Sequence, residues 1–128
     1  MNIVIKNKSD APIYEQIKEQ IREQILDGKA KENEQLPSIR QLAKDLKISV
    51  ITTTRAYNDL MEEGFIVSVS GKGYFVASKT NELLRERLIC EMENGLEAAV
   101  VNGRNAGLSD EEIKTALETV LKEISDSE

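Results

Sequence analysis

Histidine is absent from this 128-residue chain, and cysteine occurs once, at position 90. Together these scarcities remove the usual zinc ligand sets and every Ser/His/Asp or Cys/His arrangement for nucleophilic catalysis. A single thiol closes no internal disulfide, so the expected compartment is the cytoplasm. Cys90 falls near an apolar helical stripe, which favours a buried or interface thiol over a redox sensor. No apolar run approaches the roughly 20 residues needed to cross a bilayer, and the start lacks the basic-then-apolar pattern of a secretion signal. Gly71-Lys72-Gly73 has none of the spacing of a phosphate-cradling loop. Glu62-Glu63 and Glu111-Glu112 are adjacent carboxylates, but solvation at helix ends accounts for them better than acid–base catalysis. The expectation is no enzyme, no metal and no cofactor.

An excess of basic charge is also lacking, since the net charge is −6. Its distribution matters more. Residues 1–76 carry 11 Lys/Arg and 11 Asp/Glu, whereas residues 77–128 carry 6 and 12. Between Ser38 and Asn58, Arg40, Lys44, Lys47 and Arg55 face only Asp45, a local +3. Phosphate would repel the acidic tail and tolerate the first part, so the tail is expected to point away from any nucleic acid.

What is present centres on Leu36 to Val76. Ser38 is placed to cap a short helix, with Gln41 completing a capping box, and Leu42, Ala43 and Leu46 line one face. Ser49 is the next N-cap after almost no connection. Thr53, Ala56, Tyr57 and Leu60 then recur at i, i+3, i+4 and i+7, and Gly64 ends the helix. Phe65 to Val69 and Tyr74 to Val76 alternate as two strands around Ser70-Gly71-Lys72-Gly73. The predicted fold is mainly α with a small β-wing: an N-terminal winged helix-turn-helix over residues 1–77, followed by a two-helix dimerisation tail over 78–128.

Before that unit, Ile3 and Ile5 mark an edge strand or a segment packed under the first helix. Asp10 is a candidate cap with Pro12 in the first turn, and Ile13, Ile17, Ile21 and Ile25, broadened by Leu26, form one stripe that ends at Gly28. Lys29 to Gln35 reads as loop. In the tail, Leu83, Leu84, Leu88, Ile89, Met92, Leu96, Ala99 and Val100 predict a helix over 81–102. Gly95 inside it predicts close packing or a bend, since it costs about 1 kcal/mol against Ala. Gly103 to Leu108 is expected to be loop. Ser109 with Glu112 forms a capping box for a last helix carrying Ile113, Ala116, Leu117, Val120, Leu121 and Ile124. Residues 125–128 are expected to fray. Two such helices alone make a thin layer, so their faces either fold back on the winged part or pair with a second copy through an isologous interface. The dimer is favoured, with Leu84, Leu88, Met92, Leu96, Leu117, Val120 and Leu121 as its positions.

With Thr53, Ala56, Tyr57 and Leu60 inward, the second helix of the pair leaves Ser49, Val50, Ile51, Thr52, Thr54, Arg55 and Asn58 outside. Exposed Val50 and Ile51 suit thymine methyls better than water, and the hydroxyls suit phosphate oxygens. Arg40 is placed for phosphate or a guanine edge. Gly71, Lys72 and Gly73 combine low bulk with one cation, which fits a minor groove. The competing reading is a winged-helix adaptor that binds protein through the same exposed helix without DNA binding. A small-molecule sensor without DNA affinity is more remote.

Pro12-Ile13-Tyr14-Glu15-Gln16-Ile17, Leu36-Pro37-Ser38-Ile39-Arg40-Gln41-Leu42-Ala43, Thr52 through Arg55-Ala56-Tyr57 to Leu60, and Glu63-Gly64-Phe65-Ile66 together resemble the GntR family of bacterial transcription regulators. The short helical tail is similar to that of its YtrA subfamily. The likeness covers about residues 13–76 in motifs, and the tail only in length and helix count. It implies a homodimeric regulator binding a palindromic operator in double-stranded DNA, usually a repressor and often of a transporter operon. It places Ser38, Arg40, Ser49, Val50, Thr52 and Thr54 at DNA-contacting positions and Gly71 to Gly73 at the wing. Many members have Arg or another polar residue where this chain has Val50 and Ile51, which shifts the expected readout toward thymine methyls and shape. An A/T-leaning palindrome follows as the expectation. The larger relatives bind small acids in a domain this chain lacks, so an effector is possible and nothing in the sequence places it.

Overall fold

The computed structural model describes residues 1–127. Five helices and one hairpin follow in order: α1 (Ile13–Leu26), α2 (Ile39–Leu46), α3 (Val50–Glu63), β1 (Ile66–Val69), β2 (Gly73–Val76), α4 (Glu82–Asn105) and α5 (Asp110–Ser127). The chain forms two compact units, Met1–Arg87 and Leu88–Glu128. Among the described residues, no helix is long and apolar enough to cross a membrane.

The first unit is a winged helix-turn-helix. Ile17 and Ile21 of α1 are fully buried, and Thr53, Ala56, Tyr57 and Leu60 of α3 form the inward row that their spacing predicts. Phe65, Ile66 and Val76 close the core beneath the hairpin. Leu26 lies at the solvent-exposed end of α1 and does not widen its stripe. Pro12 occupies the N-cap itself rather than the first turn, and no side chain caps α1, so Asp10 does not serve there. Ile3 is buried without forming a strand, because three glutamines of α1 take the backbone of the residues around it. Gln20 bonds both polar groups of Val4, Gln16 does the same at Lys6, and Gln24 donates to the Asn2 carbonyl.

Two stretches depart from their predicted roles. Lys29 to Gln35 is more than loop: Gln35 bridges Phe75, Leu36 N–H donates to the Tyr74 carbonyl at 2.8 Å, and Val76 N–H donates to the Glu34 carbonyl at 2.8 Å. The outer edge of β2 is thereby covered, which leaves fewer unpaired backbone groups. Ser78 Oγ and the Lys79 N–H both donate to Glu32, and these bonds hold its carboxyl below the ordinary carboxylate range. Glu63 is the second departure. It is buried rather than solvated, with Lys18 of α1 at 3.4 Å and Arg87 of α4 at 3.0 Å on one carboxylate oxygen.

Leu84 is also in this core, at 8% exposure, with its backbone directly under Gly64. It therefore has little surface to offer a partner chain. In the second unit, α4 continues past the predicted end at Asn102 to Asn105, and the turn follows at Gly107 (φ +82°). Gly103 is helical and takes Ile113 against its bare Cα; an added Cβ would meet Ile113 Cγ1 at 2.8 Å. Gly95, where packing or a bend is expected, has open space around it. Ser109 and Glu112 form the full reciprocal capping box, at 3.2 and 3.0 Å. Residues 125 and 126 remain helical through Ser127, and the predicted fraying of Glu128 lies outside the described residues. Cys90 is exposed.

Candidate nucleic-acid interface

The geometry of α3 begins at the turn before it. Lys47 ends α2 in the left-handed conformation (φ +56°), and Ile48 N–H closes back on the Ala43 carbonyl at 3.0 Å. This six-to-one bond satisfies a carbonyl at the helix end and reverses the chain within two residues. Ser49 then caps α3, accepting from Thr52 N–H at 3.0 Å, while its own hydroxyl donates to Thr52 Oγ1 at 2.8 Å. Thr52 keeps its hydroxyl proton free to donate outward. Thr54 donates to the Val50 carbonyl at 2.7 Å, so its oxygen faces out as an acceptor. Ser38 caps α2 through Gln41 N–H at 3.1 Å. The reciprocal half of that box is not made, because Gln41 Nε2 donates instead to Asp45 at 2.7 Å.

Val50 and Ile51 are 46% and 83% exposed in the first turn of α3. Water is a poor neighbour for two branched apolar side chains, and a few methyls beside hydroxyls at a helix N-terminus match a groove floor and its phosphate rim. Arg40 stands exposed in the first turn of α2, and neither it, Lys44, Lys47 nor Lys72 has an ion pair among the described residues. Arg55 is exposed on α3, with its guanidinium carbon 3.7 Å from the centre of the Tyr14 ring.

One buried side chain fixes this head to the wing. Tyr57 donates its hydroxyl to the Pro37 carbonyl at 2.7 Å and meets the Tyr74 ring edge-on at 5.0 Å. Burial, with the Tyr74 hydroxyl adding to it, raises the Tyr57 pKa, so the phenol stays a donor. Thus α3, the lead-in to α2 and strand β2 share one anchor.

The wing tip turns at Gly71 (φ +75°), and Lys72 N–H donates to the Val69 carbonyl at 2.9 Å. Gln35, in the stretch expected to be loop, donates Nε2 to the Lys72 carbonyl at 2.8 Å. It ties down the backbone of the one residue that carries the tip's charge. No short-range pattern signals such a bond, since the two residues are 37 apart. The tip, the α3 face and Arg40 all belong to the first unit. The positions expected to dimerise do not: apart from buried Leu84, they fall on α4 and α5 of the second unit. Among the described residues, no group of His, Cys, Asp or Glu is placed to hold a metal ion.

Comparison with known proteins finds similar sequences and folds elsewhere. Residues 13–76 match a family described as bacterial regulatory proteins, gntR family. The chain is 32% identical over 123 residues to the HTH-type transcriptional repressor YtrA of Bacillus subtilis, covering 96% of this chain and 92% of that one. Among solved structures, YtrA from Sulfolobus acidocaldarius is 36% identical with a TM-score of 0.69, covering 96% of this chain and 99% of that chain. The AraR DNA-binding domain in complex with operator ORX1 aligns over 60% of this chain and 96% of its own, at 30% identity and a TM-score of 0.53.

Proposed function

The chain belongs to the GntR family of bacterial regulatory proteins, and from that premise we propose that this DNA-binding transcriptional regulator is a homodimeric repressor acting on a palindromic operator. Residues 1–77 are the reading domain and residues 78–128 the dimerising tail. The N-terminal turn of α3 enters the major groove, where Val50 packs on thymine methyls while Ser49, Thr52 and Thr54 meet phosphate or base edges. Arg40 and Arg55 bind the backbone, with Ser38 beside them, and Gly71, Lys72 and Gly73 follow the minor groove. The repressor role is carried over from the name of the Bacillus relative, and the docking mode is supported by the AraR domain solved with its operators. A transporter operon is the kind of target proposed, and the cytoplasm the compartment.

The dimer is supported by the tail itself. Met92, Leu96, Leu117, Val120 and Leu121 are all exposed, Met92 at 54% and Leu121 at 58%. Leu96, Leu117 and Val120 also line, with Val100, Gly103 and Ile113, an apolar cleft of about 420 Å³ between α4 and α5. Such surface is costly in water, at about 25 cal/mol per Å², and a second copy covers it.

The observation that carries the proposal is the exposed Val50 and Ile51 at the hydroxyl-rich start of α3. Selection of bound fragments from random duplex, with Arg40→Ala run beside the parent, tests it. The expected result is a two-fold palindrome with A·T pairs under α3 and half-sites about one helical turn apart, and its loss or weakening in the variant. Enrichment of G·C-rich half-sites under α3 contradicts the proposed readout.

A further inference from the structure

The closest aromatic contact in the first unit joins the start of α1 to the outward face of α3. The guanidinium carbon of Arg55 sits 3.7 Å from the centroid of the Tyr14 ring. Tyr14 is half-buried, and Arg55 is exposed on the face that also carries Ile51 and Asn58. A guanidinium has five N–H donors in its plane and none on its face. Stacking on a ring therefore occupies the face and leaves the donors pointing outward. Among the described residues, Arg55 has no hydrogen bond or ion pair to use them. Asp59, one turn further along α3, would be the ordinary i+4 partner, yet no ion pair joins the two. Arg55 is thus held by its face, with its whole donor edge unspent.

We infer that Tyr14 is a positioning residue for DNA binding: its ring fixes the Arg55 guanidinium so that the donor edge meets a phosphate of the operator without first being ordered. The inference rests on the proposed docking of α3, and it adds a residue from α1 that touches no DNA. Arg is rich in rotamers, and its immobilisation on binding opposes association. The Tyr14 ring removes most of that ordering cost before the duplex arrives. The contact needs the ring and not the phenol hydroxyl, which donates to Glu15 Oε1 at 3.5 Å.

The test is affinity for the duplex that the parent selects, measured across a salt series for the parent, Tyr14→Phe, Tyr14→Leu, Arg55→Gln and the Tyr14→Leu/Arg55→Gln double variant. Parent binding tests the docking proposal by itself, so its failure is separate from failure here. Tyr14→Leu is expected to bind about 2- to 10-fold more weakly, and Tyr14→Phe like the parent. Arg55→Gln is expected to flatten the log K against log salt slope by about 1.8, the loss of one phosphate contact from each of the two heads. In the Arg55→Gln background, Tyr14→Leu should cost nothing further. Additive losses, or a Tyr14→Leu variant that binds like the parent, overturn the inference. Should Tyr14→Leu fail to fold by thermal melt, Arg55→Gln decides alone, since an unchanged salt slope also overturns it.

Discussion

A side chain at position 64 has no room. Gly64 ends α3 at φ +87°, and an added Cβ would come within 2.5 Å of the Leu84 backbone nitrogen. The first fact strains any L-residue by about 1–2 kcal/mol. The second cannot be relieved by a rotamer change, because the obstacle is main chain in the first turn of α4. Next to it, Glu63 holds Lys18 and Arg87 on one oxygen while its other oxygen is buried without a hydrogen bond. The junction of α1, α3 and α4 is therefore tight. Gly64→Ala is predicted to cost at least about 2 kcal/mol, seen as a lower urea midpoint with an unchanged slope. Unchanged stability would mean that α4 does not start against α3. The sequence marks Gly64 as a helix end but says nothing of Leu84, because a contact made by backbone has no side-chain signature.

At the scale of elements, most boundaries follow from residues whose local chemistry fixes them. Ser38, Ser49 and the Ser109–Glu112 pair all cap their helices, although Gln41 turns to Asp45 and does not close the box predicted with Ser38. Glu112 gives this a pH dependence. Hydrogen bonds from the Ser109 backbone and side chain hold its carboxyl below the ordinary value of 4.5. A depressed folded-state pKa stabilises α5 above the unfolded value, and that contribution disappears as pH falls through the folded one. Helicity of the parent is therefore predicted to fall in acid, below about pH 4.5, by more than that of Glu112→Gln, which cannot ionise; circular dichroism against pH checks it. Where the sequence misleads, tertiary neighbours decide. Gly95, expected to pack, has open space, whereas Gly103, expected in a loop, is helical and packs against Ile113. The Gln35–Phe75 bridge is a single pair in a polar stretch, too short to show alternation. The outward face of α3 was legible because its inward row is unambiguous, whereas the Tyr14–Arg55 stack joins residues with no periodic relation.

For the molecule as a whole, the account requires two reading heads on one duplex. The winged unit has its own core, while the tail exposes leucines and valines along both of its helices. The proposed homodimer would couple two weak half-site contacts through the tail, and such linkage raises affinity by about 10²- to 10⁴-fold over one head. Leu121→Asp places a charge on an exposed position, so the melt of the winged unit should hold while the dimer and about 100-fold or more of operator affinity are lost. The most direct test is the mass of the complex on a selected duplex, by sedimentation or light scattering, for the parent and for Leu121→Asp. Two parent chains per duplex are expected, and none retained by the variant at the same concentration. One parent chain per duplex, or full-affinity binding by a monomeric Leu121→Asp variant, would contradict that expectation.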